Sequence, residues 1–188
     1  MQKLSRSVAW QLLTTYVDEP SLLQHSQIVE TIMRHFAQLN HEDADIWGVV
    51  GLLHDMDWQK YPDQHCFKTA EILHAHHVDE IYIHAIMSHS YGIDTNVIPS
   101  NLMEKTLFTI DELSGLIVAV TKMMPSHDIH DVKIKSVRKK FNRPTFAAGV
   151  NRNIINQGLA MLEMNLDDVI KECLIAMQNN AVALNLTT

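Results

Sequence analysis

Apolar residues recur at intervals of three and four along nearly the whole chain, and no long stretch alternates as a half-buried strand does. This pattern predicts an all-α protein, a helical bundle of about eight to nine helices. The first helix ends near Pro20, the second has Ser21 as its N-cap, and the third opens after Asn40 and Asp43. The remaining helices are predicted at about residues 67–76, 79–89, 101–123, 131–140, 147–163 and 166–183.

The segment between the third and fourth predicted helices departs from the helical pattern. Residues 56–65 hold Pro62 and several polar side chains, which predicts a loop. Further along, Asn165 followed by Asp168 predicts the start of the last helix. The chain shows no repeat, no low-complexity run and no convincing domain boundary, so we expect a single domain.

The composition is that of a soluble globular protein, with one departure. The net charge of −7 disfavours a general nucleic-acid coat. Two cysteines, Cys66 and Cys173, make no disulfide framework, and no apolar run reaches the length of a membrane span, so we expect a cytoplasmic protein without a membrane partner. The departure is the count of 12 His beside three Trp and five Phe, which points to metal chemistry.

Several polar residues lie on helix faces that should be buried: His25, the doublet His54-Asp55, His89 and Asp111. Burial of an ionised carboxylate without a partner is very costly, and no buried Lys or Arg is evident to neutralise the two Asp residues. Taken alone, a His on an apolar face is more often a hydrogen-bonded core residue than a ligand, and Asp111 can act as a cap or accept a hydroxyl. Because several helices each contribute such a residue, the set together favours a metal site.

The sequence around the doublet resembles that of the HD-domain superfamily of metal-dependent phosphohydrolases. The doublet lies within GLLHDMD, residues 51–57, and the order His, His-Asp, Asp along the chain is the HD-type order. The stretches LQHS, PDQH, AIMSH and DELSGLI, at His25, His65, His89 and Asp111, extend the resemblance over most of the chain, and it looks closest to small bacterial HD-type hydrolases. It implies a single HD domain, with a catalytic core at about residues 20–125 and C-terminal helices at about 130–185 packed on it.

The resemblance also implies the ligands of the metal centre. The first ion would be bound by His25, His54, Asp55 and Asp111. In dinuclear HD proteins two further His complete a second site, and the doublet Asp bridges both ions. His65 and His89 are the candidates here, and a substitute for His65 would come from His84, His74, His76 or His77. Imidazole and carboxylate ligands suit one or two divalent ions of Mn, Fe, Co or Zn. Cys66 is assigned no role.

Asp57 and Trp58 begin the loop after the doublet. Asp57 is a candidate general acid or base, or a residue that orients a ligand His, and an ordinary loop cap is the structural alternative. Some mononuclear HD nucleotidases are expected to use a Glu three residues after the doublet, where this chain has Trp58. That departure weakens the prediction of a 5′-nucleotidase mechanism.

A cationic segment lies near the end of the chain. Residues 133–152 contain seven Lys or Arg side chains and no Asp or Glu. The functional interpretation is a phosphate-binding surface, with the substrate-binding candidates Lys135, Arg138, Lys139 and Arg152. A solvated helix face or a surface for an acidic protein partner is the alternative.

The leading hypothesis is therefore metal-dependent hydrolysis of a nucleotide or another small phosphate ester by a metal-activated water, with Asp55 and Asp57 as the catalytic candidates. Two alternatives stay open. The six-ligand set also resembles that of diiron HD-type oxygenases such as the inositol oxygenase, and the fold alone cannot separate the two activities. The other alternative is a non-catalytic metal- or ligand-binding module. The expected partner is a small phosphorylated metabolite or nucleotide, and a homodimer also stays open.

Overall fold

The computed structural model describes residues 3–187, and the regular structure of that range is helical, with no strand. It contains nine α-helices, which confirms the predicted all-α class: α1 (Arg6–Tyr16), α2 (Pro20–Leu39), α3 (Ala44–Leu53), α4 (Phe67–Ala75), α5 (Glu80–His89), α6 (Leu102–Met123), α7 (Ile134–Phe141), α8 (Arg152–Leu162) and α9 (Leu166–Asn179). Two 3-10 turns lie at Pro62–Gln64 and Ile129–Asp131. No helix among residues 3–187 is long and apolar enough to cross a membrane.

The helix starts differ from the prediction where two capping signals compete. Helix α2 begins at Pro20, so Ser21 lies inside the first turn and is not the N-cap. The first helical position lacks an intrahelical partner for its N–H, and proline therefore fits there. At the third helix the N-cap is Asp43, whose carboxylate accepts from the N–H groups of the first turn, while Asn40 ends the preceding helix. The predicted N-cap Asn165 of α9 is confirmed.

The chain divides into two compact units, Met1–Phe108 and Thr109–Thr188, with the boundary inside α6. In the first unit α2 packs against α3, and both helices contribute buried aliphatic side chains. Gly51 permits this close approach, because a Cβ there would lie 3.0 Å from the Met33 side chain and 3.0 Å from the Val29 carbonyl oxygen. Every residue of α3 from Trp47 to Leu53 is buried. The helix therefore places whatever follows Leu53 in the interior of the unit.

The second unit contains the rest of α6 together with α7, α8 and α9. Its buried residues include Ile155, Val169, Ile170 and Met177, which lie at helical spacing on α8 and α9. Gly158 of α8 lies so close to Thr109 that a Cβ would come within 2.1 Å of the Thr109 hydroxyl oxygen. That contact explains a glycine in the middle of an amphipathic helix, where alanine has the higher helix propensity. The single domain expected from the sequence stays a prediction.

Candidate metal centre

The doublet His54-Asp55 lies at the buried C-terminal end of α3. His54 is fully buried, and its Nδ1 donates to the carbonyl oxygen of Gly51 over 2.8 Å. Asp55 follows in a hydrogen-bonded turn that Trp58 closes, and its side chain retains 20% of its surface exposed. The end of α3 thus presents an imidazole to the interior and a carboxylate that solvent still reaches.

Four imidazoles surround the Asp55 carboxylate. The Nε2 atoms of His25 and His54 lie 3.7 and 3.4 Å from Oδ2, while those of His65 and His89 lie 3.5 and 3.4 Å from Oδ1. They come from α2, from the end of α3, from the loop before α4 and from the last residue of α5. The first unit therefore brings five of the six predicted ligands together, and each carboxylate oxygen faces one pair of imidazoles.

Hydrogen bonds at the opposite ring nitrogens fix the orientation of three of these imidazoles. His54 donates from Nδ1 to Gly51, His89 donates from Nδ1 to the Ile86 carbonyl oxygen over 2.5 Å, and the Nδ1 of His65 lies 2.8 Å from Asp57 Oδ1. Carbonyl and carboxylate oxygens only accept, so the proton of each neutral ring occupies Nδ1. The lone pairs on Nε2 then point towards Asp55, as metal-binding histidines require.

The electrostatics of the cluster favour a cation at its centre. Burial disfavours ionised Asp55, yet His54 and His89 outweigh this effect and hold the pKa of the carboxyl well below its usual range. Burial likewise lowers the pKa of His65, but hydrogen bonds with Asp57 and Cys66 outweigh it and raise that pKa to about 9. The pKa of His89 is also raised, against the effect of burial, by Cys66 and Asp55. Positive charge is therefore stabilised here, whether as protons on the rings or as a metal ion.

A second buried carboxylate in the same unit shows the contrast. Glu30 is 4% exposed and binds two guanidinium groups, those of Arg6 and Arg34, each with a closest N···O distance of 2.9 Å. The ion pairs of Asp55 are all with imidazoles. A carboxylate with four imidazoles is the nitrogen and oxygen donor set that divalent Mn, Fe, Co or Zn accepts, so the residues present fit a metal ion.

The structure also separates His65 from the histidines considered as its substitutes. His84 lies at Glu104, with its Nδ1 2.7 Å from Oε1, and His74 lies at Glu80. His76 and His77 are exposed at the end of α4. His65, only 5% exposed, is the one of these five whose ring faces Asp55.

Asp57 lies behind His65 and away from solvent. Its side chain is fully buried, Oδ1 contacts the Nδ1 of His65, and Oδ2 accepts from the Thr69 N–H over 2.9 Å. Both oxygens are thus engaged by the protein. This geometry fits the interpretation of Asp57 as a residue that orients a ligand His better than that of a general acid or base.

Asp111, the sixth predicted ligand, lies on α6 one turn after Phe108 and belongs to the second unit. It is partly buried, and Ser114 donates to its carbonyl oxygen. Its role as a metal ligand stays a prediction.

Cys66 is the neighbour of the cluster to which the sequence assigned no role. Its backbone is left-handed (φ 67°), its side chain is fully buried, and Sγ lies 3.7 Å from the Nδ1 of His89. Burial raises the pKa of this thiol, but His89 and His65 outweigh it and leave the pKa below the usual value. Adjacency to His65 was the only sequence signal, because the left-handed turn that directs Cys66 inward is not encoded by the residue type.

The substrate-binding candidates all lie in the second unit, and two of them have structural partners. Arg138 forms an ion pair with Asp167. Arg152 donates to the carbonyl oxygens of Ala147 and Val150 over 2.6 and 2.7 Å, which closes the loop before α8. Lys135 and Lys139 are exposed, without an ion-pair partner among residues 3–187. Substrate binding by these four residues stays a prediction.

Comparison of the chain with protein-family models, with curated proteins and with solved structures finds no match.

Proposed function

We propose that this protein is a metal-dependent phosphohydrolase that acts on a nucleotide or another small phosphate ester. Its metal centre would be formed by His25, His54, Asp55, His65 and His89. The proposal combines the arrangement around Asp55 with the HD-type motif GLLHDMD. Two free, buried cysteines fit a cytoplasmic location, which we propose as well.

The observation that carries the proposal is the division of four imidazoles between the two oxygens of one carboxylate. His25 and His54 face Oδ2, and His65 and His89 face Oδ1. A carboxylate that bridges two ions offers one oxygen to each, and each ion would then receive two imidazoles. This arrangement supports two ions rather than one.

Bound divalent ions supply a Lewis acid for the phosphate oxygens and lower the pKa of a coordinated water. The protein itself orients the ligands of these ions. Asp57, Gly51 and Ile86 hold three imidazoles with Nε2 inward, so the ligand geometry is set before substrate arrives. In the hydrolysis the oxygen of water bonds to phosphorus, the ester P–O bond breaks, and the leaving alcohol takes up a proton.

Phosphate esters are proposed as the substrate class for two reasons. The first is the resemblance of GLLHDMD and its companion histidines to the HD phosphohydrolases. The second is the cationic segment 133–152, in which the exposed side chains of Lys135 and Lys139 have no ion-pair partner within residues 3–187 and are available to an anion. If this segment binds the anionic part of the substrate, the substrate would carry at least one phosphate.

The test is ester hydrolysis by protein loaded with manganese or cobalt, measured as phosphate release from nucleotides and sugar phosphates and as product formation from phosphodiesters. Asp55→Asn should abolish hydrolysis, because it removes the carboxylate charge that would hold the ions. Asp63→Asn makes the same change at an exposed position of the same loop and should retain activity.

Failure to hydrolyse both the monoesters and the diesters would contradict the proposal, and the accompanying behaviour would identify its replacement. Two bound irons with dioxygen consumption would indicate the oxygenase alternative. Ligand binding without either reaction would indicate a non-catalytic module.

A further inference from the structure

Trp58 is an exposed indole at the edge of the metal centre. Of the four residues in the turn from Asp55 to Trp58, Met56 and Asp57 are fully buried. Asp55 is 20% exposed and Trp58 is 44% exposed. The N–H of Trp58 donates to the Asp55 carbonyl oxygen over 3.0 Å, so the turn presents these two side chains to solvent together.

The indole is also held against one of the proposed ligands. Its ring centroid lies 4.9 Å from that of His65, with an angle of 81° between the planes. The Nε2 of the same imidazole lies 3.5 Å from Asp55 Oδ1. One side of Trp58 therefore borders the cluster, while nearly half of its surface contacts water.

The exposure of Trp58 is unlike that of the other tryptophans. Trp47 is 3% exposed in the core, and Trp10 lies under the guanidinium of Arg6 at 5.6 Å. No cation lies over Trp58 among residues 3–187. Trp58 therefore offers an open aromatic surface with a polar edge directly beside the partly exposed Asp55 carboxylate, and aromatic side chains of this kind are enriched where proteins bind partners.

We propose that Trp58 is a stacking platform that binds a planar heterocyclic ring on the substrate, while the phosphate of that substrate binds at the metal centre. The substrate class is thereby narrowed to nucleotides, and this inference rests on the proposed function. Stacking on an aromatic side chain is worth about 1–3 kcal/mol per base, equivalent to about 5- to 150-fold in affinity.

The experiment compares adenosine 5′-monophosphate with ribose 5-phosphate, which share the same phosphate ester and differ in the base. The ratio of kcat/KM for the two esters is measured with manganese-loaded protein. The ratio of dissociation constants is measured by equilibrium dialysis with their phosphonate analogues, in which a P–C bond replaces the ester P–O bond and cannot be hydrolysed. We expect the wild type to favour the nucleotide by about 5- to 150-fold. Trp58→Ala should bring both ratios close to one, and Trp58→Phe should retain most of the preference.

Trp10→Ala is the matched control, because it removes the indole that packs under the guanidinium of Arg6, and within residues 3–187 no ring contact joins that indole to His25, His54, His65 or His89. A wild-type ratio near one, a ratio unaltered in Trp58→Ala, or an equal decrease in Trp10→Ala would each overturn the platform. Hydrolysis of both esters without a preference would leave the phosphohydrolase intact and remove the platform. A binding preference that depends on Trp58, without any hydrolysis, would support the platform and contradict the phosphohydrolase.

Discussion

The orientation of His65 by Asp57 leads to the sharpest prediction about a single side chain. Asp57→Asn keeps the shape of the residue but converts one acceptor oxygen into an NH2 donor. The two carboxylate oxygens now accept from His65 and from the N–H of Thr69, at 2.8 and 2.9 Å. In the variant the amide can serve only one of these donors with its oxygen, and its NH2 faces the other.

Each orientation of the new amide has a calculable cost. With its oxygen on His65, the buried N–H of Thr69 loses its acceptor, and the free energy of unfolding falls by about 1–3 kcal/mol. With its oxygen on Thr69, the NH2 donates to His65 Nδ1, and the ring proton moves to Nε2, opposite Asp55. Loss of that lone pair should weaken the binding of one ion by about 10- to 100-fold, as substitutions behind metal-binding histidines do.

The assay is a manganese titration that counts sites and affinities, paired with urea unfolding of the chelated protein. Asp63→Asn, exposed in the same loop, controls for the loss of one negative charge. We expect one of the two ions to bind more weakly in Asp57→Asn and neither to change in Asp63→Asn. Wild-type affinity for both ions combined with unchanged stability in Asp57→Asn would contradict this account, because either orientation of the amide must cost one of the two.

Three further predictions concern stability. Gly158→Ala should lower the free energy of unfolding by about 1–3 kcal/mol in urea unfolding, since its Cβ would overlap Thr109, and an unchanged midpoint would contradict the packing of α8 on that residue. Glu104 is buried and accepts hydrogen bonds from Ser100 and His84. These contacts outweigh burial and lower the pKa of Glu104. The stability that ionised Glu104 adds to the fold is therefore complete above the ordinary pKa of 4.5 and declines as the pH falls through the lowered pKa. Glu104→Gln should therefore lose stability at pH 7, and the difference from the wild type should shrink as the pH falls below 4.5 and through the lowered pKa; a difference that stays constant with pH would contradict this assignment. Manganese at 100 times its dissociation constant should raise the free energy of unfolding by about 2.7 kcal/mol, and a chelator should remove this increase. A thermal unfolding midpoint that changes neither with manganese nor with chelator would contradict a bound metal.

Most helices could be predicted because the local sequence pattern around each of them favours the structure that it adopts. The apolar periodicity and the breaks at proline place most helices within a few residues of their observed bounds, as at α6, predicted at about 101–123 and observed at Leu102–Met123. The start of α2 is different, since Ser21 and Pro20 are both good starting signals and only the packed structure decides between them. Helix α8 begins at Arg152, later than predicted, because Asn151 is its N-cap and accepts from the N–H groups of the first turn, while the Arg152 side chain binds carbonyl oxygens of the preceding loop.

The residues of the site also fall into those that local sequence signals predict and those that depend on tertiary packing. His25, His54 and His89 could be predicted because each lies on an apolar helix face, where a buried polar side chain is costly unless it binds a partner. The position of Asp57 behind His65 and the inward turn of Cys66 could not, since both depend on how the loop before α4 folds back onto the cluster. The loop has no periodicity from which a sequence could reveal that path.

The central claim is a metal centre that holds two ions around Asp55, and metal content per chain tests it most directly. Elemental analysis should be made on protein purified without added metal or chelator, and again after equilibration with manganese. Two ions per chain in the wild type, about one in His65→Ala and two in the control His84→Ala would support the centre. Equal content in the wild type and His65→Ala would contradict a site that includes His65, and no metal in either protein, even after equilibration, would contradict the account as a whole.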